Sequence, residues 1–457
     1  MTTTIRSGKA AVRTAALALA ALLGGGCGDL NIPEYNNPSI EDLTGNPTPA
    51  GIEAAAVGLQ IGARSDMTGR TSYVSMLGVI GRESYTLDVS DPRYITELLV
   101  GPVTNSGAFG AGLWTTRYAN IRLGNIILDA LPNVAAYSDA QRAAVRGFTE
   151  TIQALDFLLV INSRDVNGAP IEVGGAIEEL APLESKAEVF ARIVQLLEAG
   201  RTDLVAAGGT PFPFPLSAGF AGFNTPATFL QFNRALRARV DVYMGNYAAA
   251  LTALGQSFLS TAAPLSRGVY NTYGTGSDAP NELATLLVFA HPSIVTDAEN
   301  KPDATPDNRL LAKVGPHPSG SRTLLGVTSD RQFLLYPAVT TPVPIIRNEE
   351  LILLRSEARW FTGDRPGAMA DLNFIRTTSG GLAAIAEPAT DAAFVTELLK
   401  QRRYSLLFEG HRWIDVRRFG RLNTLPLDVP THIRIAAFQI PEAECLARTL
   451  TSPCIAS

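Results

Sequence analysis

Arg402, Arg403, Glu409, Arg412, Asp415, Arg417 and Arg418 place seven strong charges within seventeen residues. Tyr404, Leu406, Leu407, Phe408, Trp413 and Ile414 lie between them. Guanidinium groups and carboxylates at this density are the parts of planar, bidentate forks. Such forks can do one of two things. They can fasten a helix to its neighbours as a buried ion network, or they can receive an anion. Leu398, Leu399, Leu406, Leu407 and Trp413 would bury the surrounding faces, and this favours the structural network.

Elsewhere, covalent chemistry has little to work with. The chain lacks a G-x-S-x-G elbow, an H-E-x-x-H helix and a Walker A loop. His291, His317, His411 and His432 are scattered, and none pairs at metal-ligand spacing. Asp297, Glu299, Asp303 and Asp307 crowd one segment, but the order and glycine of an EF-hand are missing, so a solvated acidic loop is the better reading. No cofactor or metal is expected. A carboxylate pair for glycoside hydrolysis is set in three dimensions and has no signature here.

Binding has more to draw on. Sugar rings present C–H faces that stack on aromatic side chains, while nearby polar groups take the hydroxyls. Tyr85, Asp88 and Tyr94 supply these types in one segment, and Tyr270 and Tyr273 in another. Each tyrosine has the alternative of packing its own loop. Trp114, Trp360 and Trp413 fall on helical stretches and are assigned to the core. Without tryptophans in loops, a peptide or other small nutrient gains weight beside an oligosaccharide.

At 457 residues and 46% hydrophobic, the chain can bury a sizeable core. Arg6, Lys9 and Arg13, then apolar Ala15 to Leu23, then Gly24-Gly25-Gly26 before Cys27, have the order of an export signal. Residues 1–26 are therefore read as a signal peptide, with Cys27 as the acylated first residue of a lipoprotein. Leu23 lies four positions before Cys27, one further than in the usual lipobox; cleavage near Gly26 without acylation is the alternative. Residues 27–45, rich in Asn and Pro, read as a tether to a membrane. Removing three basic residues takes the net charge from −5 to −8, which argues against a nucleic-acid partner. Cys445 and Cys454, close together in an exported chain, can pair as a disulfide.

The elements that must carry these groups are mainly helical. Trp114, Tyr118, Ile121 and Leu128 form one stripe, and Val145, Phe148, Ile152, Leu155 and Leu159 another, with Asp139 as an N-cap. The stretch from Arg237 to Ala250 lines up with Arg355 to Ala368: a helix ends at Gly245 or Gly363, and a small residue opens the next. Helix pairs are expected at about 113–163, 226–262, 347–378 and 391–420, within one body over 46–457. Loop-rich insertions are expected at about 73–110, 208–226 and 267–344, the last with short strands such as 331–338.

Residues Glu350 to Leu382 and Glu397 to Arg421 resemble the SusD/RagB family's "LLRAEA…GD…A…LN…R…GL" and "ERR…L…FEG…R…D…R" patterns. Leu113 to Asn125 is similar to its "LW…Y…I…N" helix, and Ile440-Pro441-Glu442-Ala443-Glu444 to its "IPxxE". The resemblance implies a mainly α fold of four tetratricopeptide-like helix pairs supporting a loop-rich ligand-binding portion. It also implies a non-enzymatic outer-membrane lipoprotein that captures oligosaccharides or peptides. Its implied partner is a SusC-like TonB-dependent transporter, over which it sits as a hinged lid. A tetratricopeptide-type scaffold of the cell envelope is the alternative.

Overall fold

A computed structural model describes residues 40–175, 179–276, 278–285, 287–450 and Cys454. Cys27, the leader and residues 28–39 lie outside the described residues. Helix α1 (Pro49–Arg64) begins at Thr48, whose hydroxyl accepts from the Gly51 amide at 3.1 Å, and Pro49 presets its first turn. Ile52, Ala55, Ala56, Leu59 and Ala63 recur at steps of one, three and four and form its buried stripe. Helix α2 (Tyr73–Ile80) is buried at every residue. It lies in the stretch expected to be irregular, because an all-apolar segment of eight residues carries no periodic signal.

Helices α3 (Thr115–Ala130) and α4 (Asp139–Arg164) pack together, but the longer partner of α4 is α5 (Lys186–Ala207). Ser138, one residue before the expected Asp139, caps α4 through a capping box with Gln141. Ser185 and Glu188 form the same box at the start of α5. Every residue of α4 from Thr151 to Arg164 is buried, so its polar groups must be paired. Asp156 accepts from Arg117 and from Asn120, each at 2.7 Å. Close contact with α5 depends on Gly147, where a Cβ would lie 2.6 Å from Leu204 and 2.9 Å from the Gly200 carbonyl.

The hairpins continue with α6 (Pro226–Met244) and α7 (Tyr247–Gly255), then α8 (Asn348–Phe361) and α9 (Arg365–Thr378), then α10 (Asp391–Ser405) and α11 (Arg412–Arg418). Gly245 (φ 77°) and Gly363 (φ 92°) turn α6 and α8 into their partners in the left-handed conformation. Ala250 and Ala368, one turn further on, are fully buried. A short helix, α12 (Glu442–Ala447), ends the body, and Cys445 is joined to Cys454 by a disulfide. No described helix is long and apolar enough to cross a membrane.

Strands occur as four antiparallel pairs: β1 (Ser84–Thr86) with β3 (Val288–Ala290), β2 (Gly268–Asn271) with β8 (Val343–Arg347), β4 (Val314–Pro316) with β7 (Arg331–Phe333), and β5 (Arg322–Leu324) with β6 (Val327–Ser329). The β2–β8 register shifts between Val269 and Tyr270. The Phe-rich insertion at 208–226 is irregular but anchored. Phe212, Phe214, Phe220 and Phe223 are buried, with Phe214 4.9 Å from Phe148 of α4 and Phe220 5.8 Å from Phe229 of α6.

Candidate binding site

The charged stretch divides between two faces. Its inner face is a closed network. Arg402 Nε lies 2.7 Å and Arg418 Nε 3.0 Å from the Asp415 carboxylate, and Arg418 Nη2 is 2.6 Å from Glu357. Arg347 bridges Glu349 and Glu409, the latter at 2.8 Å, and Arg239 holds Glu350 in a fork at 2.7 and 2.6 Å. All nine residues are buried or nearly so. Burial works to raise the Asp415 pKa, and Arg402 and Arg418 overcome it, holding the carboxyl below its usual range. These groups fasten α8, α10 and α11 from within the core.

The acidic segment is partly drawn into ion pairs, while Asp303, with its side chain 64% exposed, stays in solvent. Asp297 pairs with Arg403 at 2.7 Å, Glu299 with Arg376 and Lys400 at 2.8 Å each, and Asp307 with Arg309 at 2.6 Å. Among the described residues no group of three His, Cys, Asp or Glu is placed to hold a metal ion.

The first tyrosine segment offers no open ring. Tyr85 is 2% exposed, pairs with Phe289 across β1–β3 and lies 4.8 Å from the His291 ring. Tyr94 is 3% exposed and packs edge-on against Phe109 at 5.1 Å. Asp88 turns inward to Arg70 at 2.5 Å and the Ser90 hydroxyl at 2.6 Å. The expectation of a ligand surface here is corrected: the apolar faces of these rings complete the core beneath the short β1–β3 pair.

The second segment is different. Tyr270 is half-buried and lines a groove of about 290 Å³ with Gln60, Ile61, Arg64, Pro215, Ser217, Phe220, Thr272 and Asp278. Burial alternates along β2, with Val269 and Asn271 inward and Tyr270 on the more open face. Tyr273 is buried beside the groove, with the Arg64 guanidinium 5.9 Å from its ring centre. Gln60 fixes the Phe-rich insertion, donating to the Pro215 carbonyl at 3.0 Å and accepting from the Ser217 amide at 2.9 Å. Arg64 donates to the Thr272 carbonyl and pairs with Asp278. Sequence reasoning missed Gln60, Arg64 and Asp278. The signal for the first two was α1 itself, with Thr48-Pro49 at its start and its apolar stripe.

A second groove, of about 410 Å³, lies between α3, residues 170–175 and 179–181, and α12. Trp114 and Tyr118 form its floor with ring centres 4.6 Å apart, and Arg122, Glu172, Glu179 and Arg448 rim it. Trp114 Nε1 donates to Glu444 at 3.1 Å, next to the disulfide.

Residues 338–446 match the model of the SusD family, over the segment that contains α8 to α11. Over these residues the chain is similar to the SusD family. Its fold is similar to that of a SusD superfamily protein from Bacteroides vulgatus, at a TM-score of 0.65 and 16% identity, covering 87% of this chain and 97% of that one. It is also similar to a SusD-like carbohydrate binding protein from Bacteroides fragilis (TM-score 0.66, 14% identity, 89% and 99% covered). For NanU of B. fragilis the values are 0.67, 14%, 91% and 98%. At these identities the likeness is one of fold. No curated relative matches the sequence.

Proposed function

We propose that this SusD-family chain is an outer-membrane lipoprotein, anchored through Cys27, that captures an oligosaccharide or peptide. It delivers its cargo to a SusC-like TonB-dependent transporter. The family match over residues 338–446 carries this reading. The carbohydrate binding named for the B. fragilis neighbour favours a sugar over a peptide. The groove at Tyr270 suits that chemistry: a half-buried aromatic ring is flanked by an amide, an Arg–Asp pair and two hydroxyl residues, Ser217 and Thr272.

Affinity capture of the tagged, full-length protein from solubilised outer membranes tests the partner. Co-purification of a stoichiometric TonB-dependent barrel is expected; its reproducible absence with the protein intact moves the weight to an envelope scaffold. Calorimetry against an oligosaccharide panel tests the groove. For the best binder, Tyr270→Ala is expected to cost about 0.5–1.5 kcal/mol, roughly two- to twelvefold in affinity. Unchanged affinity in that variant removes Tyr270 from the site.

A further inference from the structure

The outer face of the same charged stretch opens onto a cavity of about 300 Å³ with an excess of positive charge. Lys400, Arg403, Arg412 and Arg421 line it, and Asp297 is the one acid among its lining residues. Arg403 is held by Asp297 at 2.7 Å and by the Ser293 hydroxyl at 2.6 Å, and its Nε is buried without a partner. Lys400 is answered by Glu299 at 2.8 Å. Arg421 has only neutral acceptors, Thr396 Oγ1 at 2.6 Å and the Ala392 carbonyl at 2.7 Å.

Arg412 makes no hydrogen bond or ion pair with any described residue, and its Nε is buried. Burial and the neighbouring Arg403 lower its pKa to about 10. The acids that face it from the packed elements are all committed or weak. Asp297 is bound to Arg403, and Asp415 is bound to Arg402 and Arg418. Glu83, buried and without an ion pair, has its own pKa raised to about 7 by burial. In the network, by contrast, Arg239, Arg347, Arg402 and Arg418 each meet at least one carboxylate.

Arg412 and Arg421 are the two guanidinium groups of the lining that form no ion pair with any described residue. We infer that this cavity binds a tetrahedral dianion, a sulfate or phosphate group, either free or as an ester on a larger ligand. Two uncompensated cations match a charge of minus two, whereas one carboxylate would leave half of the excess. The proposal does not rest on the sugar reading, because none of these residues lines the groove at Tyr270.

Calorimetry on the mature chain at low ionic strength, with sodium sulfate, sodium phosphate and sodium acetate, tests it. Saturable one-site binding of the dianions is expected, with acetate about tenfold weaker or more, since each charge-assisted contact contributes on that scale. Arg412→Gln should weaken sulfate at least about tenfold and Arg421→Gln by less, while Arg122→Gln, in the other groove, leaves it unchanged. If Arg412→Gln does not fold by circular dichroism, Arg421→Gln, which is partly exposed, carries the test. Glucose 6-sulfate binding more tightly than free sulfate would assign the group to an ester; equal or weaker binding would assign it to the free ion. The proposal is overturned if no dianion saturates, or if folded Arg412→Gln and Arg421→Gln bind sulfate as the parent does.

Discussion

The Arg402, Asp415, Arg418, Glu357 network and the cavity at Arg412 are built from the same few residue types, one turn apart on the same segment. In the network every guanidinium meets a carboxylate; in the cavity Arg412 meets none. Charge density alone therefore does not separate scaffold from site. Pairing does.

The largest expected effect comes from unpairing the network. Arg347 lies between Glu349 and Glu409, all with side chains under 10% exposed. Arg347→Met leaves two carboxylates buried together, and urea unfolding should register a loss of about 3–5 kcal/mol. A loss below about 1 kcal/mol would mean that the network is as dispensable as a surface pair. The same group sets an acid limit. Burial works to raise the Glu349 pKa, but Arg347 and Lys313 hold it down to about 2. A depressed folded pKa contributes stability above the unfolded value, and that stability should fall away between about pH 4.5 and 2.

Glu83 gives the opposite slope. Its pKa is raised to about 7, so its contribution is complete below the unfolded value and is lost as pH rises through 7. Glu83→Gln should remove this loss, making the variant more stable than the parent at pH 8 by up to about 3 kcal/mol, with little difference at pH 4. Thermal melts across that range check it; parallel curves for the two proteins would show that Glu83 is already ionised and compensated by Arg412.

The smallest effect is expected where pairing exists without burial. Arg365 approaches Glu387 at 3.5 Å with both side chains more than 40% exposed. Glu387→Gln should change stability by less than about 0.5 kcal/mol, and less still in high salt. A larger loss would show that burial is not what distinguishes the network.

The helical class was legible because amphipathic stripes survive in a single sequence: Val145, Phe148, Ile152 and Leu155 announce α4, and Gly245 and Gly363 announce their turns. Helix α5 went unread although Ser185 and Glu188 mark its start, because its neighbours at 170–184 have no pattern. Tyr85 and Tyr94 look like Tyr270 in sequence, and only the packing of β1 on β3 separates buried rings from a half-exposed one. For Arg412 the deciding fact is that no described carboxylate forms an ion pair with it. Residue order does not state it, since Glu83 and Asp297 come from distant segments.

Trp114, Trp360 and Trp413 are each buried beneath a guanidinium, Arg164 at 5.3 Å, Arg365 at 4.5 Å and Arg417 at 4.2 Å. Indole emission from this protein, excited selectively, therefore comes from shielded, cation-capped side chains. None of the three lines the groove at Tyr270, while Trp114 floors the groove beside the disulfide. A ligand titration that moves the indole spectrum would thus report the Trp114 groove, and one that releases heat with the spectrum flat would report a site away from it, so a fluorimeter beside a calorimeter can set that groove apart without a single substitution.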